Sequence, residues 1–149
     1  MAKRMNNRSI AKNISYIARG ISRYLDQEAK HLKLRSATIP FLVYLYEHEG
    51  VHQDQMAQDL QFDKSSAARA VKALERLGYV NKVADNSNRR KNIITVTTLG
   101  RSVEDELYAI LRQCTKQLFT GLSEEEIDFY FAYTEKVNEN LSTMLLAEK

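Results

Sequence analysis

The sequence predicts a mainly α-helical protein carrying one small β-hairpin, and three observations lead there. Apolar residues recur at helical spacing along most of the 149 residues. Breakers are scarce: there is one proline, and of five glycines Gly50, Gly78, Gly100 and Gly121 fall between periodic segments. The exception is the stretch from Tyr79 to Thr97, where β-branched runs flank a cluster of turn formers.

The elements follow in order. Ile10, Ile14, Ile17, Ile21, Leu25 and Leu32 recur at intervals of three, four and seven, so one long helix is expected over Ile10 to Leu32, with Gly20 tolerated inside it. Ser36 can cap a second, strongly apolar helix over Ala37 to Glu47, with Pro40 in its first turn and an end near Gly50. A short third helix covers about Gln53 to Leu60, burying Met56, Ala57 and Leu60. Asp63 is the expected N-cap of a fourth helix from Lys64 to Leu77, and Gly78 supplies the left-handed residue that ends it. The runs Tyr79 to Ala84 and Ile93 to Thr97 read as strands joined by Asp85 to Lys91. A fifth helix is expected from about Thr98 to Phe119, with Leu99, Val103, Leu107, Ile110, Cys114 and Leu118 on its stripe. A sixth starts at a capping box, Ser123 to Glu126, and repeats Ile127, Phe131, Thr134, Val137, Leu141 and Met144 or Leu145. That last apolar face has no obvious partner in so small a chain except the other long helices or a second copy.

Composition bounds the function. With 44% hydrophobic and 28% charged residues the chain is one globular domain's worth of sequence. Its longest apolar stretch, around Ile39 to Tyr46, is too short to cross a bilayer, and the N-terminal MAKRMNNRSI lacks the apolar core of a signal peptide, so a cytoplasmic location is expected. One cysteine, Cys114, excludes an internal disulfide or a cysteine cluster. The net charge of +3 is unevenly spread. From Lys64 to Lys91 eight basic residues face two acidic ones, whereas residues 92 to 149 hold five basic against ten acidic. A polyanion-binding middle is expected.

The fourth helix localises that charge. At 100° per residue, Ala67, Ala70, Val71, Leu74 and Leu77 take one side, while Ser65, Arg69, Lys72 and Arg76 take the other. A short helix, a turn, a helix apolar behind and cationic in front, then a hairpin with a basic tip is the order of a winged helix-turn-helix, since a B-DNA major groove admits one such helix. Ser65, Ser66 and Arg69 are placed to reach base edges and Lys72 and Arg76 to meet phosphates, with Lys64 in the same DNA-binding set. Arg89 and Arg90, with Lys91, sit at the tip of the wing, which can follow the backbone or enter the minor groove.

From Leu34 to Arg101 these residues resemble the multiple antibiotic resistance regulator (MarR) family. The matching pieces are Gln53 to Leu60, Lys64 to Val80 (KSSAARAVKALERLGYV), Asn88-Arg89-Arg90-Lys91 and Val96 to Gly100. Their order and the flanking helices extend the resemblance over nearly the whole chain. Two departures stand out. The family's wing usually has an aspartate just before its arginines, where this chain has Asn88, and the turn Gln61-Phe62-Asp63 lacks a glycine. The resemblance implies a homodimer whose terminal helices pair and whose two winged lobes read a palindromic site. It divides the single MarR-like domain into a lobe at about 36–98 and a helical dimerisation arm at about 1–35 and 99–149. It also implies a small aromatic or lipophilic effector between arm and lobe, for which Tyr16, Phe41 and Tyr44 are candidate lining residues.

Other chemistry finds less support. Cys114 lies on an apolar stripe and reads as a small hydrophobe, and relatives that sense peroxide place their cysteine near the chain start, where none occurs here. His48 and His52 straddle Gly50 instead of sharing a helical face, and with His31 they read as structural or solvated. No metal site is assigned, although Glu47, Glu49 and Asp54 lie nearby. There is no Ser/His/Asp order, phosphate loop or dinucleotide fingerprint, so neither an enzyme nor a cofactor is expected. The expected function is a dimeric, sequence-specific DNA-binding transcriptional regulator, a repressor released by a small-molecule effector. The alternative is a winged-helix module that binds an acidic protein without reading DNA sequence.

Overall fold

In the computed structural model, which describes residues 9–147, Ser9 opens the first helix: its hydroxyl accepts the Lys12 amide at 3.2 Å. Residues 1–8, on which the signal-peptide reading and the start of the expected arm fall, lie outside the described residues. Helix α1 runs Ile10–Glu28, ending four residues before the position its periodicity predicts. The chain then tightens into a 3₁₀ turn, Lys30–Leu32, closed by Lys33 at φ 57°. Leu25 and Leu32 are both buried, and a seven-residue interval serves helix and turn alike, so the stripe alone overshoots.

Helix α2 spans Ile39–Glu47, beginning two residues later than expected. Ser36 does not cap it: its amide donates to Asp26 Oδ1 at 2.7 Å, tying the loop back to α1. Thr38 takes the N-cap position without capping, its hydroxyl donating to the Arg35 carbonyl at 2.8 Å. Pro40 is tolerated in the first turn, where its missing N–H costs nothing. Five of the nine residues of α2 are buried, Ile39, Phe41, Leu42, Leu45 and Tyr46, which makes this helix the spine of the core.

A two-residue strand, β1 (Val51–His52), too short to leave a sequence pattern, precedes α3 (Gln53–Asp59). Met56 and Ala57 are buried, whereas Leu60 is only partly so. The following turn has no glycine, and Gln61 itself takes the left-handed conformation at φ 56°, a strain of about 1 kcal/mol that glycine would avoid. Helix α4 (Lys64–Arg76) is capped by Asp63, whose Oδ1 accepts the Ser66 amide at 2.8 Å, and Gly78 at φ 76° follows its end. Its inner face, Ala67, Ala70, Val71 and Leu74, is buried.

Strands β2 (Val80–Ala84) and β3 (Asn92–Val96) form the hairpin, pairing from Val80 with Val96 to Ala84 with Asn92. β1 adds to the other edge of β3, giving an antiparallel order β1-β3-β2. The single helix expected over Thr98 to Phe119 is two: α5 (Thr98–Ser102) and α6 (Glu104–Leu118), broken at Val103. Val103, at φ −100° and ψ 0°, turns its amide back to the Arg101 carbonyl. Gly100 lies inside α5 and not between segments: a Cβ there would stand 2.2 Å from the Tyr79 carbonyl oxygen, so only glycine lets α5 sit this close. The Tyr46 hydroxyl, donating to the Gly100 carbonyl at 2.8 Å, holds that contact from the core side. Leu99, expected on the buried stripe, is exposed.

The chain divides between Cys114 and Thr115 into two compact units. In the first, α2, α3, α4 and the sheet enclose the core together with Leu25, Ala29, Leu34, Leu107 and Cys114. In the second, the capping box closes reciprocally, Ser123 Oγ accepting the Glu126 amide at 3.2 Å and Glu126 Oε2 accepting the Ser123 amide at 2.8 Å, and starts α7 (Glu124–Ala147). Phe119 packs edge-on against Tyr130 and Phe131, yet no residue of α7 is buried. Among the described residues, no helix is long and apolar enough to cross a membrane.

Candidate nucleic-acid interface

Because the inner face of α4 is committed to the core, its outer face is fixed outward. Lys64, Ser65, Arg69, Lys72 and Arg76 are all exposed there. Lys64 stands 3.7 Å from Asp54 of α3, a distance at which an exposed pair contributes little. Ser66 differs from its neighbours. It is half-buried, its hydroxyl donates to Asp63 Oδ2 at 2.6 Å, and its oxygen accepts from Arg69 Nη2 at 3.0 Å. The hydroxyl and amide of Ser66 hold the Asp63 carboxyl below its usual range, with a further push from the Arg69 charge. Asp63 was legible in sequence as a cap only. The signal for more was its spacing, since positions 63, 66 and 69 share a helical face.

The wing is ordered by backbone and carboxylate bonds. The Asp85 amide donates to the Lys91 carbonyl at 2.9 Å, the Lys91 amide to the Asn88 carbonyl at 2.9 Å, and the Asn88 amide to the Asp85 carbonyl at 3.1 Å. Asp85 Oδ1 accepts both the amide and the hydroxyl of Ser87, and its Oδ2 meets His52 Nε2 at 2.7 Å. Asn88, which stands where the resemblance leads one to look for aspartate, accepts the Arg90 amide at 3.2 Å. The wing is thus tied down by Asp85 and His52, a pair 33 residues apart that no local pattern reveals. Arg89, Arg90 and Lys91 project from this frame, all exposed.

The three candidate effector residues are dispersed. Tyr16 is exposed on α1, beside Arg19, Ser22 and Arg23 in an open depression. Phe41 is buried, its ring 4.8 Å from that of Phe62, and lines a separate cavity of about 300 Å³ with Thr38, Ala70 and Ala73. Tyr44 donates to Asp59 Oδ2 at 2.5 Å, a bond that pushes its hydroxyl up to about 12, and its ring stacks on His48 at 4.1 Å. His31 meets Glu106 at 2.5 Å. Cys114 is buried, and burial raises its thiol, which disfavours the thiolate. Among the described residues, no three His, Cys, Asp or Glu side chains are grouped to hold a metal ion.

Comparison with known proteins settles the family. The model of the MarR family matches residues 29–91, and the uncharacterized HTH-type transcriptional regulator YybA of Bacillus subtilis (strain 168) is 30% identical over 136 residues, 89% of this chain and 88% of that protein. The chain belongs to the MarR family. It is accordingly a transcriptional regulator of the winged-helix type and not an enzyme. Among solved MarR-type structures, the transcriptional regulator SlyA superposes with a TM-score of 0.88 at 29% identity, covering 95% of this chain and 100% of that one. A MarR family regulator from Listeria monocytogenes, solved in complex with a 26mer DNA, gives 0.85 at 26% identity over 93% of each chain.

Proposed function

We propose that this MarR family chain is a dimeric repressor that reads a palindromic duplex with α4 and its wing and is released by a small aromatic or lipophilic effector. The observation that carries the reading is the outward cationic face of α4, which follows α3 in the chain and precedes a hairpin with an exposed basic tip. The DNA complex of the Listeria relative supports it. In this reading Arg69 and Ser65 reach base edges, and Lys64, Lys72 and Arg76 meet phosphates. Arg89, Arg90 and Lys91 follow the backbone or the minor groove. The lobe at about 36–98 carries DNA, and the flanking helices at about 1–35 and 99–149 join two copies. The exposed apolar side chains Phe131, Val137, Leu141 and Leu145 of α7 and Ile10, Ile14 and Ile17 of α1 support that role. An effector entering beside Phe41 or Tyr16 would act by changing the spacing of the two lobes, which must meet successive major grooves.

The test is fluorescence anisotropy of a duplex from upstream of the chain's own gene beside a scrambled duplex, at two salt concentrations. A preference of about a hundredfold, falling steeply with salt, is expected. Arg69→Ala should cost the preferred duplex about 1 to 3 kcal/mol and reduce the preference. Arg90→Ala should weaken both duplexes evenly. Equal, weak binding to both would overturn the reading and favour an acidic protein as the ligand of the cationic face.

A further inference from the structure

We propose that Ser66 and Asp63 are positioning residues that hold the Arg69 guanidinium ready for a base edge, and that Ser66 itself donates no hydrogen bond to DNA. The inference rests on the DNA-reading role of α4 proposed above. It starts from the donor and acceptor capacity of one hydroxyl. A serine has a single O–H to give, and Ser66 gives it to Asp63 Oδ2 at 2.6 Å. The same oxygen accepts Arg69 Nη2 at 3.0 Å. With its one donor spent and one of its two lone pairs taken, this half-buried hydroxyl has nothing to give a base acceptor, whereas Ser65, one residue earlier, is exposed.

The relay is anchored at its far end. Asp63 accepts the Ser66 amide through its other oxygen at 2.8 Å, so the carboxylate is held by the helix it caps. The preceding residue, Phe62, is fixed by its ring on Phe41 at 4.8 Å and by its amide on the Ala57 carbonyl at 2.9 Å. Rigidity therefore passes from the core through Asp63 and Ser66 to a side chain that would otherwise sample many rotamers in water. The bond to Ser66 uses one of the five guanidinium N–H donors, and the planar fork remains available for the paired acceptors of guanine. Fixing the fork before DNA arrives removes an ordering cost from the specific complex and sets the angle at which it approaches a base. A phosphate, which accepts from any direction, gains far less. The relay accordingly acts on selectivity and leaves general affinity unchanged.

The experiment begins by selecting a preferred duplex from a random-sequence library with the wild-type chain. The ratio of Kd for a scrambled duplex to Kd for the selected one is then measured for wild type, Ser66→Ala, Asp63→Asn, Arg69→Ala and the double variant Ser66→Ala/Arg69→Ala. Both single positioning variants keep the helix cap, since the Ser66 amide and an Asn side-chain oxygen remain, and their thermal midpoints verify this. Ser66→Ala should lower the ratio by about threefold to tenfold with the scrambled duplex unaffected, as expected of one lost hydrogen bond. Asp63→Asn should shift it in the same direction, and Ser66→Ala should change nothing further once Arg69 is gone. A loss that persists in the Arg69→Ala background would overturn the proposal by making Ser66 a base contact in its own right. An unchanged ratio in either single positioning variant would overturn it as well. A library from which the wild-type chain enriches no sequence would remove the DNA-reading role, and the relay's purpose with it, and is recognised before any variant is made.

Discussion

Helices α4 and α7 carry the same kind of sequence signal and meet opposite fates. Both repeat apolar residues at helical spacing, and both begin at a well-formed cap. In α4 the stripe is buried, with Val71 and Leu74 fully enclosed by the first unit's core. In α7 the large apolar side chains of the stripe are exposed, from Phe131 at 54% through Val137 and Leu141 to Leu145 at 54%, and nothing on it is buried. Amphipathicity in a sequence thus states that a face needs covering, not that the same chain covers it. In α4 the covered face fixes which way the cationic one points. In α7 the uncovered face is the strongest physical argument for a second copy, because contiguous exposed apolar surface of this kind is rare on monomers.

The comparison is broken most severely by charging the uncovered face. Leu141→Asp/Leu145→Asp should yield a monomer by sedimentation velocity and weaken the selected duplex by about a hundredfold to ten-thousandfold, since two linked lobes bind far better than one. An unchanged sedimentation coefficient would show that this stripe joins nothing. A smaller effect comes from truncating one leucine on each helix. Leu74→Ala, at a fully enclosed site, should destabilise the chain by about 2 to 5 kcal/mol in chemical denaturation. Leu146→Ala, at a residue 71% exposed, should stay within about 0.5 kcal/mol. Equal losses at the two sites would mean that α7 is as well packed as α4.

The same contrast explains what was legible in the sequence. Local rules carry α4 completely: Asp63 caps it, Gly78 follows it, and the apolar and cationic faces fall at the expected angles. They carry the wing strands and the capping box of α7 for the same reason, since each depends on residues within a few positions of one another. What failed depended on contacts across the fold. The close approach of Gly100 to the Tyr79 carbonyl and the break at Val103 leave no local pattern, and Leu99 to Leu118 still read as one unbroken stripe. Ser36 has a side chain suited to capping, but the helix begins only at Ile39, and both the amide and the side chain of Ser36 turn to Asp26. At the candidate interface, side chains named from the face of α4 lie on that face. The relay from Asp63 to Arg69 needed side-chain geometry, and of the candidate effector-lining aromatics Phe41 and Tyr16 line different depressions.

The wing adds a third kind of order, and the smallest of the expected effects. Its tip has no apolar stripe to bury and is held by backbone bonds, by Asn88 and by one carboxylate. Ser87 through its hydroxyl, then His52, then the Ser87 amide lower the Asp85 carboxyl to about 2 from an ordinary 3.8. A carboxyl depressed by folding binds its proton less readily in the folded state, so its contribution to stability is fully present above about 3.8 and is lost as pH falls through about 2. The Asp85 side-chain carbon should therefore titrate by NMR with a midpoint near 2, and the protection of the Lys91 amide relative to its intrinsic exchange rate at each pH should fall over the same window while amides in α4 stay protected. Ser87→Ala should raise the midpoint more than His52→Ala does, in the order of the bonds removed. A midpoint at the ordinary value would mean that the carboxylate does not pin the wing, and the loop that carries Arg89 and Arg90 would then owe its shape to its backbone bonds alone.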